Sequence, residues 1–145
     1  MNVKIREAKR EDYSGIATIS KEDLGYECAA ELVKRQLEKV IADEGSKVFV
    51  AEQDGEIVGY IHVADYNTLY FEPIKNVMGL AVRKKFRRLG VGAKLLREAE
   101  KWAVQCGSAV MRLNSGMSRP DAHDFYRRQG YGNEKEQMRF MKQIR

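Results

Sequence analysis

The chain has 145 residues, 43% of them hydrophobic, with 26 Lys+Arg against 21 Asp+Glu and a formal net charge of +5. That is the size of one domain, here taken as residues 1–145, with enough apolar content for a core that needs no disulfide or metal. No run approaches the ~18 apolar residues of a membrane span, Lys4 and Arg6 stand where a signal peptide needs an apolar stretch, and the two cysteines, Cys28 and Cys106, share no cluster with the two histidines, so a cytoplasmic protein with reduced thiols and no metal is expected.

Val3 to Arg6 alternates apolar and basic residues and reads as a short first strand. Arg10 to Ser20 carries Tyr13, Ile16, Ala17 and Ile19 at helical spacing. Ala29 to Asp43 repeats the pattern more strongly through Leu32, Val33, Leu37, Val40 and Ile41, with Gly45 as its stop. Lys47–Gln53 and Glu56–Ala64 flank Asp54-Gly55, a two-residue hairpin signal. Asp65 to Lys75 is irregular, and Asn76 to Val82 reads as a buried strand.

Gly90 to Cys106 is a helix with Val91, Leu95, Leu96, Ala99 and Trp102 turned inward and Gly107 at its end. Ala109 to Asn114 is another strand. Ser118 to Gln129 is a helix with Ser118 as cap, Pro120 in the first turn and Asp121 completing a capping box. Met138 to Ile144 alternates and reads as a last strand, with a further short one near Tyr131. The expected fold is α/β (α+β): a mixed, mainly antiparallel sheet of six to seven strands with helices on both faces.

The junction between Val82 and the helix at Gly90 carries the chemistry. A helix start exposes unpaired N–H groups and the positive end of the dipole. This one has no acidic residue until Glu98 and is preceded by Arg83, Lys84, Lys85, Arg87 and Arg88. Cations there are disfavoured by ~0.3–1 kcal/mol each, an arrangement that makes sense if an anion belongs at the site. Gly90 and Gly92 remove the Cβ atoms that would hold a phosphate away from the amides. The P-loop template fails at Gly92-Ala93-Lys94-Leu95, and Leu95 stands where a dinucleotide fingerprint needs its third glycine. Arg87-Arg88-Leu89-Gly90-Val91-Gly92 fits the pattern [RQ]-x-x-G-x-[GA] throughout. No RNA-stacking motif accompanies the basic run, so nucleic acid is not the expected partner, nor is a membrane.

With that loop after Leu80-Ala81-Val82, and with Arg119-Pro120-Asp121-Ala122-His123-Asp124-Phe125-Tyr126 and Gly130-Tyr131 downstream, the chain resembles the GNAT superfamily of N-acetyltransferases over nearly its whole length. The resemblance implies acetyl-CoA as acetyl donor, its pyrophosphate held by the loop Arg87, Arg88, Leu89, Gly90, Val91, Gly92 and Ala93. It implies splayed central strands, with Leu80, Ala81 and Val82 pairing with the pantetheine arm and Asn114 beside the acetyl group. It gives Tyr126 the proton for the departing thiolate, and a phenol with an ordinary pKa near 10 is protonated at neutral pH. Arg119 stands where many members carry an Asn that helps hold CoA, and Arg would serve through phosphate contact.

A carboxylate is expected to help free the amine of its proton. Glu72, just before the central strand, is the favoured candidate, with Asp65, Glu27 and Glu22 behind it. His123 and His62 read as packing residues. The implied acceptor is a small amine such as an aminoglycoside or an aminoalkylphosphonate. The alternatives are a protein or peptide N-terminal or lysine acetyltransferase and a non-catalytic acyl-CoA sensor. Homodimers are common in the family.

Overall fold

The hairpin signal at Asp54-Gly55 is met by the backbone. Both residues are left-handed, with φ of 49° and 79°, the geometry that matches strand twist in a two-residue turn. It joins β2 (Ser46–Gln53) to β3 (Glu56–Tyr66). The computed structural model describes residues 2–145 and divides into two compact units, one ending at Asn114 and one running from Ser115 to Arg145.

The first unit holds β1 (Lys4–Glu7), α1 (Tyr13–Leu24), α2 (Ala30–Ala42), β2, β3, β4 (Ile74–Val82), α3 (Val91–Gln105) and β5 (Val110–Leu113). The sheet runs β1-β2-β3-β4-β5. The first three pairings are antiparallel and β4–β5 is parallel. The irregular stretch is shorter than expected, because β3 continues to Tyr66 and β4 begins at Ile74.

Side-chain alternation sorts the helices to opposite faces. Tyr60 clusters with Ile16, Ile19, Leu37, Val48, Val50 and Ala81 on the α1/α2 side, and its hydroxyl lies 2.9 Å from that of Ser20. Its neighbour Gly59 faces the other way, where an added Cβ would stand 3.2 Å from Leu95 of α3. Lys75 shares the α3 face, buried over the Trp102 ring at 4.7 Å and ion-paired with Asp65.

β1 is fastened to α1 by charge. The buried Asp12 carboxylate accepts from Arg6 Nη1 at 2.8 Å and Nη2 at 2.9 Å, and from the Lys9 amide at 2.7 Å. Arg6 also donates to Glu52 at 2.9 Å. Burial alone would raise the Asp12 carboxyl, but these hydrogen bonds outweigh it and hold the group below its usual range. Asp12→Ala is therefore expected to cost about 3 kcal/mol, the low end for breaking such a pair because Glu52 still faces Arg6. Because the folded value is depressed, the stability is present above about pH 4 and is lost as pH falls through the folded value. Urea unfolding across that window should show Asp12→Asn flattening the acid limb.

The second unit contains α4 (Pro120–Arg128). Its start differs from the expected capping box. Pro120 opens the helix, so the N-cap is Arg119 rather than Ser118, and no side chain caps it. A proline at the first helical position fixes the cap as the residue directly before it, one place later than the box requires. The end of α4 uses Gly130 at φ 92°. The Tyr131 amide reaches back to Tyr126 O at 3.0 Å, the long bond of a Schellman closure. Tyr131 is thus part of the helix end and not of a strand.

The expected strand from Met138 to Ile144 is likewise absent: these residues have no regular structure, and Met138, Phe140, Met141 and Ile144 are exposed. Among the described residues the sheet therefore has five strands, not six to seven. Alternation states that a segment can pair but supplies no partner, and this segment's own unit offers no strand to pair with.

Candidate active site

β4 is the axis of the site. Its pairing with β5 runs from Ile74↔Val110 to Val77↔Leu113 and goes no further among the described residues. On the other side, Val77 pairs with Val63 and Gly79 with His62, which leaves Met78 as an extra residue and bulges the strand. From Met78 to Val82, β4 thus has a neighbour on one side only. The open edge presents backbone donors and acceptors that an extended ligand can pair with.

The chain then turns into α3. A short 3-10 turn, Lys84–Phe86, is followed by left-handed Arg88 (φ 63°) and Gly90 (φ 85°), and Gly90 is the N-cap. Val91, Leu95 and Leu96 are buried and seat the helix against the sheet. The Lys94 amide bonds Gly90 O at 3.1 Å. The amides of Val91, Gly92 and Ala93 precede it and have no helical carbonyl four residues back. No acidic residue lies in the first turn, and a Cβ added at Gly90 would meet nothing within 4 Å. The arrangement suits an anion approaching the amides. Gly90→Ala should cost about 1–2 kcal/mol, because the left-handed conformation strains any L side chain; chemical denaturation reads this directly.

The structure divides the basic run. Arg83 pairs with Glu22 at 3.2 Å and Glu56 at 3.4 Å. Arg87 turns back, with Nε donating to Val82 O at 3.0 Å and Nη2 to Asp23 at 3.4 Å. Asp23 also accepts from the Lys84 amide at 3.1 Å. Arg87 thus ties the loop to the end of β4, while Lys84, Lys85 and Arg88 are exposed and have no carboxylate partner among the described residues. Leu89 is exposed at the loop tip.

Leu80, Ala81 and Val82 lie on the open part of β4, and Asn114 follows β5, its Oδ1 accepting from Arg112 Nη2 at 3.1 Å. Glu72 sits in the exposed stretch before β4. Among the other carboxylates, Asp65 is engaged by Lys75 and Glu22 by Arg83. His62 shares the strand face of Tyr60. Burial lowers its pKa, opposed by Asp43, and its Nε2 is enclosed without a partner among the described residues.

In the second unit, the Tyr126 ring meets Phe125 at 5.2 Å and Tyr131 at 6.0 Å, both edge-on. Burial raises its phenol pKa, opposed by the charge of Arg119. His123 Nε2–H donates to Gly116 O at 2.8 Å, tying α4 to the preceding loop.

A strand that loses its partner midway, followed by a helix start with open amides, is what the sequence motif requires, and the profile of the Acetyltransferase (GNAT) family matches residues 4–131. The chain belongs to the GNAT acetyltransferase family. An aminoalkylphosphonate N-acetyltransferase of Salmonella typhimurium is 30% identical over 125 residues, covering 79% of this chain and 81% of that protein. An uncharacterised N-acetyltransferase of Chlorobaculum tepidum is 31% identical over 130 residues, covering 88% and 74%. Among solved structures, AAC(6')-Iy in complex with the bisubstrate analogue CoA-S-monomethyl-acetylneamine superposes with a TM-score of 0.87 at 16% identity over 99% of this chain and 100% of that one, a likeness of fold.

Sequence reasoning missed one group on this GNAT sheet. Arg112 of β5 stands opposite Asn76 of β4 and donates to its Oδ1 at 2.6 Å. The guanidinium lies 4.2 Å from the centroid of the Tyr66 ring. The available signal was Asn76 at the head of an apolar strand and Arg112 between Met111 and Leu113.

Proposed function

We propose that the protein transfers the acetyl group of acetyl-CoA to the primary amine of a small molecule, by direct attack within a ternary complex. The observation that carries this reading is the loss of the β4–β5 pairing after Val77, beside the open amides at Gly90 to Ala93. An extended pantetheine arm suits the free edge at Leu80 to Val82, and a pyrophosphate suits the helix start, with Lys84, Lys85 and Arg88 adding charge. The name of the Salmonella relative and the bisubstrate ligand of AAC(6')-Iy support a small amine as acceptor and CoA as carrier.

In the proposed reaction the unprotonated amine attacks the thioester carbonyl, the C–S bond breaks, and the thiolate leaves as the C–N bond forms. Tyr126 supplies the thiolate's proton, and Glu72, through water, receives the proton of the amine. Arg119 and Asn114 are assigned to holding CoA. The reading places the protein in the cytoplasm, where acetyl-CoA and the free thiols of Cys28 and Cys106 belong. No helix among the described residues is long and apolar enough to cross a membrane.

The test is a panel of small amines and peptide N-termini with acetyl-CoA, read by release of free thiol. Turnover with small amines is expected. Turnover confined to peptides would transfer the assignment to a peptide acetyltransferase, and CoA binding without turnover would make the protein a sensor.

A further inference from the structure

Arg112 is unlike the other engaged arginines of its unit. Arg6, Arg10, Arg83 and Arg87 each reach a carboxylate. Among the described residues Arg112 reaches none; its partners are the amide oxygens of Asn76 and Asn114 and the face of Tyr66. Those partners orient the guanidinium without neutralising it. Asn76 is itself fixed, since its Nδ2 donates to Val77 O at 3.3 Å and to Met78 Sδ at 3.0 Å. Asp65, next to Tyr66 in sequence, points its carboxylate to Lys75 instead. A half-buried, oriented and uncompensated guanidinium has three of its five N–H donors left after these two bonds. That is a receptor for an oxyanion, since a planar fork matches a carboxylate or phosphonate.

Its place selects the ligand. The Asn76↔Arg112 rung is the last but one before β4 and β5 part. Met78 to Leu80, where the open edge begins, lie roughly 7–13 Å further along β4 at the usual rise per residue. The rung is on the strand face of Tyr60 and Tyr66, at the closed end of the gap. The near end of that range is spanned by a short aminoalkyl chain together with the hydrogen bond of its anionic group to the guanidinium.

We propose that Arg112, held by Asn76, Asn114 and Tyr66, binds an anionic group of the acceptor, so that the substrates are small amines that also carry a carboxylate or phosphonate. The proposal rests on the acetyltransferase reading and narrows it: polycationic acceptors such as aminoglycosides are disfavoured by the same charge.

The experiment compares 2-aminoethylphosphonate and β-alanine with the neutral amine ethanolamine, by thiol release and by calorimetric binding to the CoA-saturated protein. For the wild type, kcat/KM for the anionic amines should exceed that for ethanolamine by roughly 10–100-fold, the strength of a charge-assisted contact. Arg112→Gln should collapse this ratio towards one, and Arg112→Lys, which keeps the charge without the fork, should leave it intermediate. Methylphosphonate should compete with 2-aminoethylphosphonate and not with CoA. A wild-type enzyme that acetylates amines without preferring anionic ones, an unchanged ratio in Arg112→Gln, or methylphosphonate competing with CoA would overturn the anion site while leaving the acetyltransferase intact. If no amine is turned over, calorimetric binding of 2-aminoethylphosphonate that is lost in Arg112→Gln supports the anion site, and absence of that binding in the wild type overturns it. The transferase reading then fails separately.

Discussion

Gly92→Val is expected to weaken CoA binding by roughly 10–100-fold, the loss of one or two charge-assisted hydrogen bonds, while the thermal midpoint stays near wild type. Gly92 is the second residue of α3, next to buried Val91 and two places after the left-handed cap Gly90. A glycine in a helix is less favourable than most residues, by up to about 1 kcal/mol against alanine. Its presence in the first turn therefore runs against helix stability, and close approach of a ligand to the amides is the physical reason to keep it. A branched side chain there would hold a phosphate away from the amides of Val91 to Ala93. The pattern at this position accepts Gly or Ala, so Gly92→Ala should retain most of the affinity. Calorimetry with CoA reads both variants. Equal affinity in wild type and Gly92→Val would remove the pyrophosphate from the start of α3.

Tyr126→Phe should lower kcat by roughly 100-fold or more, the usual scale for a positioned general acid, with little change in the Michaelis constant for acetyl-CoA. The ring is held from two directions in its own unit: Phe125 and Tyr131 pack edge-on, and Tyr126 O takes the Tyr131 amide at 3.0 Å. The Gly130-Tyr131 pair that ends α4 is thus also what fixes Tyr126. Burial raises the phenol above its ordinary value, against the pull of Arg119. The sign follows directly: a raised pKa keeps the hydroxyl protonated, so the wild-type rate should rise with pH as the acceptor amine loses its proton and should not fall until above about pH 10. Loss of the acid removes the thiolate's proton source at every pH. A Tyr126→Phe enzyme with wild-type kcat would assign the proton to another donor.

Much of the fold was legible because short-range physics decides it. The Asp54-Gly55 turn, the apolar spacing of α2 and α3 and the glycines that end α3 and α4 are properties of a few adjacent residues. The open helix start at Gly90 was legible for the same reason, since cations, absent acids and two glycines mark it locally as suited to an anion. The segment 138–144 shows the limit: its alternation describes a strand, but a strand needs a partner, and pairing is not a local property.

Local sequence is thus enough for the hairpin, the main helices and the unpaired amides that follow Gly90. Which cations of the basic run lack a carboxylate is set by the fold, because Asp23, Glu22 and Glu56 reach Arg87 and Arg83 from distant elements. The fold also fixed the point at which β4 and β5 part, after Val77, which depends on the register of two strands separated by a helix. It alone brought Tyr66, Asn76, Arg112 and Asn114 together. The reason is common to all three: the partner that neutralises a charge or completes a strand lies far along the chain, and only folding brings it within reach.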